Sequence, residues 1–474
     1  MERYDTVVIG AGFGGLGAAL TLAEAGQRVL LTEALAYPGG CACTFEKHGA
    51  RFDAGATLLT GMHEGMWMRR TLSAAGVEVV PHLLDPVVEL RSPGLVLRAG
   101  SRRETLADAL CALPGAPVRS LHSFLAFQER VADALWSALD TPGSLPPLTA
   151  ASVAHHARHL PVWLELAPWV GKPLSAVLAR YGLDRFAPLV GWLDAMCQIT
   201  VQAGVSEAEA PVALGAVDFF FRGAAVMPGG MGELADAFVQ AIRNRGGEVR
   251  LANRVKALDR GPAGWRVVTR TGEVLARTVV GNLLPDDLER LAGRRESRAG
   301  RRAHQGWGAA TLYLRVRTES AHPLHLELVD EPGAPLPGGN HVLLSASAPG
   351  APRAPDGECV VTCSTHVPLP ADGEAVGAIH SRMERTIRSL APEILDHEVL
   401  RFSGSPRTFA RFTRRGSGRV GGIPRRAGLL PYLELLPTPL DQGLWAVGDG
   451  TGLGQSTLAT ALSGSRTARC ILVG

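Results

Sequence analysis

The first 33 residues change hydrophobic period from strand to helix and back. Tyr4–Ile9 is a short apolar run rich in β-branched residues, which predicts a buried strand. A glycine turn over residues 10–15 follows, and Leu16–Ala25 is then almost entirely apolar over a length typical of a helix. Arg28–Thr32 predicts a second strand, and Glu33 closes it. We therefore expect a strand–turn–helix–strand unit that ends in a carboxylate.

The glycines of this turn, Gly10, Gly12 and Gly15, have the spacing G-x-G-x-x-G. In a dinucleotide site, the first makes the tight turn, the second lets backbone approach a pyrophosphate, and the third lets helix and strand pack closely. The helix N-terminus offers N–H groups and a positive dipole end to the phosphates. Glu33 follows Gly15 by eighteen residues, close to the roughly 20 expected of a ribose-binding acid. A dinucleotide site is predicted, with a nucleotide-free glycine turn as the alternative.

The pattern changes several times further along. Residues 38–61 are glycine-rich and predict a loop in which backbone bends and approaches something closely. Residues 77–100 alternate and predict a meander of short strands. Residues 104–224 have apolar spacings of three and four, which predict helices cut by prolines. The apolar residues crowded there, including Trp163 and Trp169, predict either a helix core or a lipophilic tunnel.

The later part returns to mixed patterns. A helix over Glu233–Arg243 and strands up to about residue 280 have α/β character. Strands near 309–317, 341–346 and 358–364, with a helix near 373–390, predict a second, α+β unit. The predicted fold class is therefore α/β together with α+β.

The C-terminal segment again has the pattern of a ligand-binding sheet edge. Gly443–Val447 predicts a strand, Gly448 and Asp449 follow it, and a helix of small residues begins near Ser456. A strand ending in Gly-Asp places a carboxylate where open α/β sheets bind ligands. A tight turn with a helix-capping aspartate is the alternative.

Composition narrows the class of protein. The chain has 474 residues, 46% of them hydrophobic, and a formal net charge of +3, which predicts a multidomain globular protein with no nucleic-acid partner. No secretion signal and no apolar run of 18 residues is recognisable, so a cytoplasmic location is expected. No metal site is expected, because the cysteines lack paired zinc-type spacing. They are Cys41, Cys43, Cys111, Cys197, Cys359, Cys363 and Cys470.

Five segments in order carry a family likeness: GAGFGGLGAALTLAEAG with Glu33, PGGCACTFEKHGARFDAGATLLTG, VMPGGMGELADAF, NRVKAL and LWAVGDGTGLGQSTLATALSG. Over nearly its full length the chain resembles the FAD-dependent phytoene desaturase, carotenoid isomerase and retinol saturase group of the amine-oxidase-like flavoprotein superfamily. The Cys41-x-x-Thr44-Phe45 and Gly454-Gln455 segments are most similar to the isomerase and saturase branch. Two positions depart from the group, which often has Arg or Lys at Ala34 and arginine at Cys41.

The resemblance implies a discontinuous Rossmann-like FAD-binding domain, a mixed-sheet substrate domain and a helical subdomain. The FAD-binding parts are residues 1–76, 225–287 and 430–474, the substrate domain 77–103 and 288–429, and the helical subdomain 104–224. It also implies FAD as cofactor, bound without a covalent link. The implied cofactor-binding residues are Gly10, Ala11, Gly12, Phe13, Gly14, Gly15, Glu33, Ala34, Gly39, Gly40, Cys41, Gly55, Ala56, Thr57, Val255, Gly448, Asp449, Gln455, Ser456 and Thr457.

The implied activity is desaturation, saturation or cis–trans isomerisation of a lipophilic polyene, a carotenoid or retinoid. The cofactor performs the difficult step, so no acid–base dyad is required, and none is recognisable in the sequence. Oxygen, a quinone or the polyene itself would exchange electrons with the flavin. An amine or porphyrinogen oxidase, and a non-catalytic prenyl binder on the same fold, are the alternatives.

A bilayer-resident substrate implies peripheral contact with the inner face of the membrane. Two features are candidates for this contact: the apolar residues around Trp163–Trp169 and the basic run Arg294–Arg302. A solvated helix face is the alternative interpretation of the basic run.

Overall fold

Two large sheets organise the molecule. The computed structural model describes residues 1–141, 143–145, 149–317, 324–429, 432, 436–451 and 454–473. The predicted boundary at residue 430 and residues 452–453 of the terminal motif lie outside the described residues. The strands are β1 (Glu2–Ile9), β2 (Val29–Thr32), β3 (Thr44–Lys47), β4 (Ala50–Asp53), β5 (His82–Leu83), β6 (Val88–Ser92), β7 (Leu95–Ala99), β8 (Ala225–Val226), β9 (Glu248–Arg250), β10 (Val255–Gly261), β11 (Gly264–Thr269), β12 (Glu273–Gly281), β13 (Gly308–Arg317), β14 (His325–Val329), β15 (His341–Ala346), β16 (Glu358–Val367), β17 (Glu398–Gly404), β18 (Pro439–Asp441) and β19 (Leu444–Ala446).

Helices pack on both sheets, and the helices of residues 103–216 form a further apolar cluster with β6 and β7. The helices are α1 (Phe13–Glu24), α2 (Trp67–Ala74), α3 (Arg103–Cys111), α4 (Val118–Asp140), α5 (Ala150–Arg158), α6 (Leu160–Leu166), α7 (Leu174–Arg180), α8 (Ala187–Thr200), α9 (Ala210–Ala216), α10 (Met231–Asn244), α11 (Pro285–Leu291), α12 (Arg298–Ala303), α13 (Gly373–Leu390), α14 (Pro392–Asp396), α15 (Pro406–Thr413) and α16 (Thr457–Val473). The mixture of helices and sheets confirms the predicted fold class.

The first sheet brings distant segments to one edge. Its order is β10-β11-β12-β1-β2-β9, with β19 beside the end of β12. β1 is parallel to β2 and β12, and Ile9 is level with both Thr32 and Gly281, while Gly281 is level with Ala446. The residues after β1, β2, β12 and β19 therefore meet at one carboxyl edge, where open α/β sheets bind ligands.

Helices α1 and α16 pack backbone to backbone behind this edge. A Cβ at Gly464 would lie 1.9 Å from the Gly14 carbonyl oxygen, and one at Gly17 would lie 2.2 Å from the Ala461 oxygen. Only glycine allows helices to approach this closely, because backbone atoms cannot move aside as a flexible side chain can.

The second sheet, β17-β13-β16-β15-β14-β6-β7, has two chemically different faces. On one face, Leu312, Leu344 and Cys363 are level with one another and pack with Met383 and Ile387 of α13. Because side chains alternate along a strand, the residues between them face the other way. That opposite face, called the polar face below, carries Thr311, His325, Glu327, His341, Ser345, Ser364 and His366.

Two predictions about local structure are wrong. Residues 38–61 are not only a loop, because β3 and β4 form a hairpin there in which Phe45 and Phe52 stack. Residues 77–100 are not a three-stranded meander: β6 and β7 form a hairpin, but β5 pairs with β8. An alternating pattern predicts a strand but does not say which strand it pairs with. The partner of β5 is therefore a strand far away in sequence.

Helices do occupy most of residues 104–224 as predicted. Phe124, Phe127 and Trp192 are fully buried in their shared core. Cys359 and Cys363 are both buried in one strand, β16. Within the described ranges, no helix has both the length and the apolar character needed to cross a bilayer.

Candidate functional site

A cavity of about 660 Å³ extends from the carboxyl edge of the first sheet to the polar face of the second. Seventeen of the twenty cofactor-binding residues predicted from sequence line it; Ala11, Gly15 and Gly448 do not. Ala11 donates its N–H to Glu33, a Cβ at Gly15 would lie 2.0 Å from the Gly10 oxygen, and one at Gly448 would lie 2.6 Å from Asn282 Oδ1. These three residues lie behind the lining and shape it.

The glycine turn leaves the end of α1 open toward the cavity. Gly10 has φ +93°, a conformation that a residue with a Cβ rarely adopts. Helix α1 begins after Gly12 with no side-chain cap and no acidic residue in its first turn. Its N–H groups and the positive end of its dipole therefore face the cavity, an arrangement that suits a phosphate.

Glu33 is held rigidly where β2 ends. Its Oε2 accepts the Ala11 N–H at 2.7 Å, and its Oε1 accepts the Leu35 N–H at 2.8 Å. Burial raises the pKa of this carboxyl, and the N–H donors partly offset the effect. Each oxygen keeps a second lone pair, so the side chain can also accept ligand hydroxyls.

The NRVKAL segment, residues 253–258, lies beside Glu33. The Asn253 N–H donates to the Glu33 carbonyl at 2.7 Å, and Val255 begins β10 immediately afterwards. Ala34 and Val255 both line this end of the cavity. On the other side of the turn, the Gly39 N–H donates to Ala11, and a Cβ at Gly40 would lie 3.5 Å from the Gly12 Cα. The second glycine loop thus packs directly on the first.

Asn282 was not predicted from sequence, yet it lies at the centre of a group of glycines. They are Gly10, Gly12, Gly14 and Gly448, called the glycine cradle below. It follows β12, and its N–H donates to the Ile9 carbonyl at 2.8 Å. A Cβ at Gly12 would lie 2.4 Å from Asn282 Nδ2, and one at Gly14 would lie 2.6 Å from Oδ1. The absence of side chains at Gly12, Gly14 and Gly448 therefore also makes room for this amide.

Arg415 was also missed. Its guanidinium makes a bidentate ion pair with Asp449, at 2.7 and 2.9 Å, and both residues line the cavity. Burial alone lowers the pKa of Arg415, but Asp449 and the neighbouring Cys41 outweigh it and raise the pKa, so the guanidinium stays charged. Asp449 is thus engaged by protein, and its role in cofactor binding stays a prediction.

The start of α16 reaches the same place. Ser456 Oγ accepts the Ala459 N–H at 3.0 Å, and Gln455 donates its amide to the Ile199 carbonyl. The buried Thr457 hydroxyl has no hydrogen-bond partner among the described residues, although it lines the cavity. An unpartnered buried hydroxyl indicates a polar ligand atom at this point.

The far end of the cavity combines an apolar wall with the polar face. Leu135, Trp136, Leu139, Trp163 and Phe219 form the apolar wall. The opposite wall includes His325, His341 and His366, with Glu327 fully buried behind them. No acid–base dyad is recognisable in the sequence, but here Glu327 Oε2 lies 2.5 Å from His341 Nε2. The two residues are on different strands, and only the register joins them.

Comparison with known proteins agrees with this geometry. The model of the family of flavin-containing amine oxidoreductases matches residues 13–472. The chain belongs to this family. A prolycopene isomerase of Arabidopsis thaliana is 26% identical over 97% of this chain and 81% of its own. The human all-trans-retinol 13,14-reductase is 53% identical over 64 residues, 14% of this chain and 10% of its own. The predicted resemblance is confirmed.

Among solved structures, a putrescine oxidase double mutant aligns with a TM-score of 0.65 and 15% identity over all of both chains. This likeness concerns the fold alone. Family membership identifies the chain as an oxidoreductase of flavin type, and the cavity contains features that suit such a cofactor: a glycine cradle, an open helix N-terminus and the unpartnered Thr457 hydroxyl.

Proposed function

We propose that the chain is an FAD-dependent oxidoreductase that desaturates, saturates or isomerises a lipophilic polyene, a carotenoid or retinoid. The continuity of the cavity carries this proposal: its predicted cofactor end opens directly into an apolar wall formed by Leu135, Trp136, Leu139, Trp163 and Phe219. Apolar and aromatic linings bind apolar ligands by removing their surface from water. The relatives named for prolycopene and retinol support the same substrate class.

FAD would bind along the glycine cradle without a covalent bond. The α1 N-terminus would receive the pyrophosphate, Glu33 the ribose and Val255 the adenine. When bound, the flavin supplies a hydride acceptor or donor, and oxygen or a quinone would complete the electron exchange. The protein positions the substrate and keeps water away from it.

The charges of the cavity favour a neutral substrate over an amine. The acidic residues among its described lining are Glu33, Asp287 and Asp449. Glu33 accepts two backbone N–H groups, Asp287 pairs with Arg290, and Asp449 pairs with Arg415. A protonated amine would need an uncompensated carboxylate, because an unpaired buried charge is costly.

The function is tested by anaerobic incubation of the flavin-loaded protein with carotenes and retinoids, followed by product chromatography. A change in double-bond number or geometry is expected with at least one polyene. Incubation with a panel of primary amines under the same conditions is the control. Turnover of amines with no polyene product would contradict the proposal, and protein without flavin would favour the non-catalytic binder.

Helix α6 supports a proposal about substrate entry at a membrane surface. Trp163 lines the cavity, whereas Leu160 and Leu164 of the same helix are 53% and 65% exposed. One side of α6 therefore borders the apolar wall while the other presents apolar side chains outward, as interfacial helices do. The basic run is the weaker candidate, because Arg294 pairs with Asp441.

Co-sedimentation with anionic liposomes tests this entry route. The double variant Leu160→Ser/Leu164→Ser is expected to bind less than wild type, while Val96→Ser, an equally exposed apolar position on β7, should match wild type. A loss of liposome binding at high salt would indicate an ionic contribution of Arg294–Arg302, because salt screens charge interactions. Wild-type protein that stays in the supernatant at both salt concentrations would rule out the membrane contact.

A further inference from the structure

The carboxylate–histidine pair on the polar face is unusual because the histidine lines the cavity and the carboxylate does not. His341 begins β15 and lines the cavity, whereas Glu327 on β14 is 0% exposed and lies behind it. Their side chains meet at 2.5 Å, Glu327 Oε2 to His341 Nε2. A carboxylate in this position holds one ring orientation and one tautomer.

The pairing leaves one nitrogen of His341 for a ligand. In the neutral ring, Nε2–H donates to Glu327, so Nδ1 carries the lone pair. Within the described ranges, Nδ1 of His341 has no hydrogen-bond partner. His325 differs, because its Nδ1 is bound to Ser345 Oγ at 2.8 Å and its Nε2 lies 3.3 Å from Glu327 Oε1. Of the two histidines beside Glu327, His341 is therefore the one with a ring nitrogen, Nδ1, whose lone pair can accept a proton.

Several other titratable groups face His341. Burial alone raises the pKa of Glu327, but His341 and His325 outweigh it and lower the pKa, so the carboxylate is ionised. Burial, with His341 nearby, lowers the pKa of His366 to about 4, so His366 stays neutral. Asp194 also faces His341, and burial raises the pKa of its carboxyl while the Val205 N–H and His341 oppose this. An imidazolium at His341 would thus have Glu327 as its counter-ion.

We propose that His341 is the proton-transfer residue of this site and that Glu327 is its positioning residue. The inference rests on the proposed function, in which a C=C bond is made or removed beside the flavin. In oxidation, one substrate carbon loses a hydride to the flavin, and the neighbouring C–H breaks. Its proton forms an N–H bond with His341 Nδ1, and its electron pair becomes the second bond between the two carbons. Reduction runs the same exchange in reverse.

The first test follows the flavin absorbance during anaerobic reduction by a polyene, or reoxidation of reduced protein by a polyene, across pH. His341→Gln and Glu327→Gln are each expected to lower the limiting rate by about 10²–10⁴-fold, the usual contribution of general acid–base catalysis. Glu327→Asp should keep most of the rate because it keeps the charge. Glu89→Gln is the matched control, since Glu89 is also a buried carboxylate on this sheet but pairs with Arg91 and Arg98 instead of a histidine of the cavity.

A structural role would not change the pH profile in a defined direction. In wild type, the rate of oxidation should depend on pH, and this dependence should be lost in His341→Gln, which removes the proton-accepting nitrogen. Wild-type rates and an unchanged profile in both Gln variants would overturn the proposal.

A second measurement needs no turnover. Proton–nitrogen correlation spectra of ¹⁵N-histidine-labelled protein should show a neutral Nε2–H ring that disappears in His341→Gln and loses its fixed tautomer in Glu327→Gln. A ring protonated on Nδ1 would overturn the proposal. If no polyene reacts but the Nε2–H tautomer is present, the proposed function fails, whereas the pair is supported as the proton-transfer group for another substrate class.

Discussion

At the end of the cavity formed by β1, α1 and the Gly39–Gly40 loop, main-chain groups face the cavity, and glycine leaves them accessible because it has no side chain. At the polar face of the second sheet, the groups that face the cavity are side chains from separate strands. The first end depends on how closely main chains approach, as at Gly14 and Gly464. The second depends on which residues the register places together, as with Glu327 and His341.

The two ends of the cavity therefore tolerate different changes. A backbone site fails when an atom is added, because close-packed main chain cannot relax. A side-chain site fails when a charge is removed, because its partner is then left buried and unpaired. Arg415 and Asp449 belong to the second kind, although Asp449 follows β19 at the carboxyl edge of the first sheet.

The largest effect is expected from breaking that ion pair. Arg415→Met should lower stability by about 3–5 kcal/mol, because it leaves the Asp449 carboxylate uncompensated. The double variant Arg415→Met/Asp449→Asn should recover part of the loss, which denaturant unfolding of the flavin-free proteins would show. Strictly additive single effects would mean that the pair is not coupled.

Glu33 tests the ribose role at the backbone end. Glu33→Gln should weaken FAD binding by about 1.5–3 kcal/mol, the range for a hydrogen bond to a charged group. Fluorescence titration of flavin-free protein with FAD measures this change. Glu24→Gln is the control. Glu24 is the last residue of α1 and lies outside the cavity lining, so this variant should bind FAD as wild type does. Equal affinity of all three proteins would contradict the ribose role.

Adding one methyl group distinguishes a crowded glycine from a free one. Gly464→Ala should lower the free energy of unfolding by about 3 kcal/mol, because its Cβ meets the Gly14 carbonyl oxygen. Gly377→Ala, inside α13 with nothing within 4 Å of its Cβ, should instead raise it by about 0.5–1 kcal/mol. Melting temperatures that shift in the same direction would refute the close contact of α1 and α16.

The smallest effect is a pH dependence at the polar face. Because the pKa of His366 is lowered from 6.5 to about 4, the folded state binds fewer protons than the unfolded chain between these values. Stability therefore falls as pH drops through this range. His366→Gln should reduce the difference in melting temperature between pH 7.5 and 5, and His82→Gln, an exposed histidine, should leave it unchanged. A wild-type-like difference in His366→Gln would show that burial does not affect this ring.

Local sequence was enough to predict the strand–turn–helix–strand unit at the first end of the cavity. Gly10, Gly12 and Gly15 lie within a few residues of β1 and α1, so their spacing carries the geometry of the turn directly. The segment beginning at Val255 is distant in sequence, but its own motif marked it. The domain boundaries and the roles of individual cofactor-binding residues stay predictions.

The sequence predicted the period of the longer helices and strands and the turns that glycine alone permits, because both depend on near neighbours along the chain. Asn282, Arg415 and the Glu327–His341 pair are different. Each depends on residues that are distant in sequence and meet only through strand register or helix packing, as Glu327 and His341 do across β14 and β15. A shift of one residue in that register would turn one of the two side chains to the opposite face of the sheet. The tertiary structure therefore decided which polar residues face the cavity.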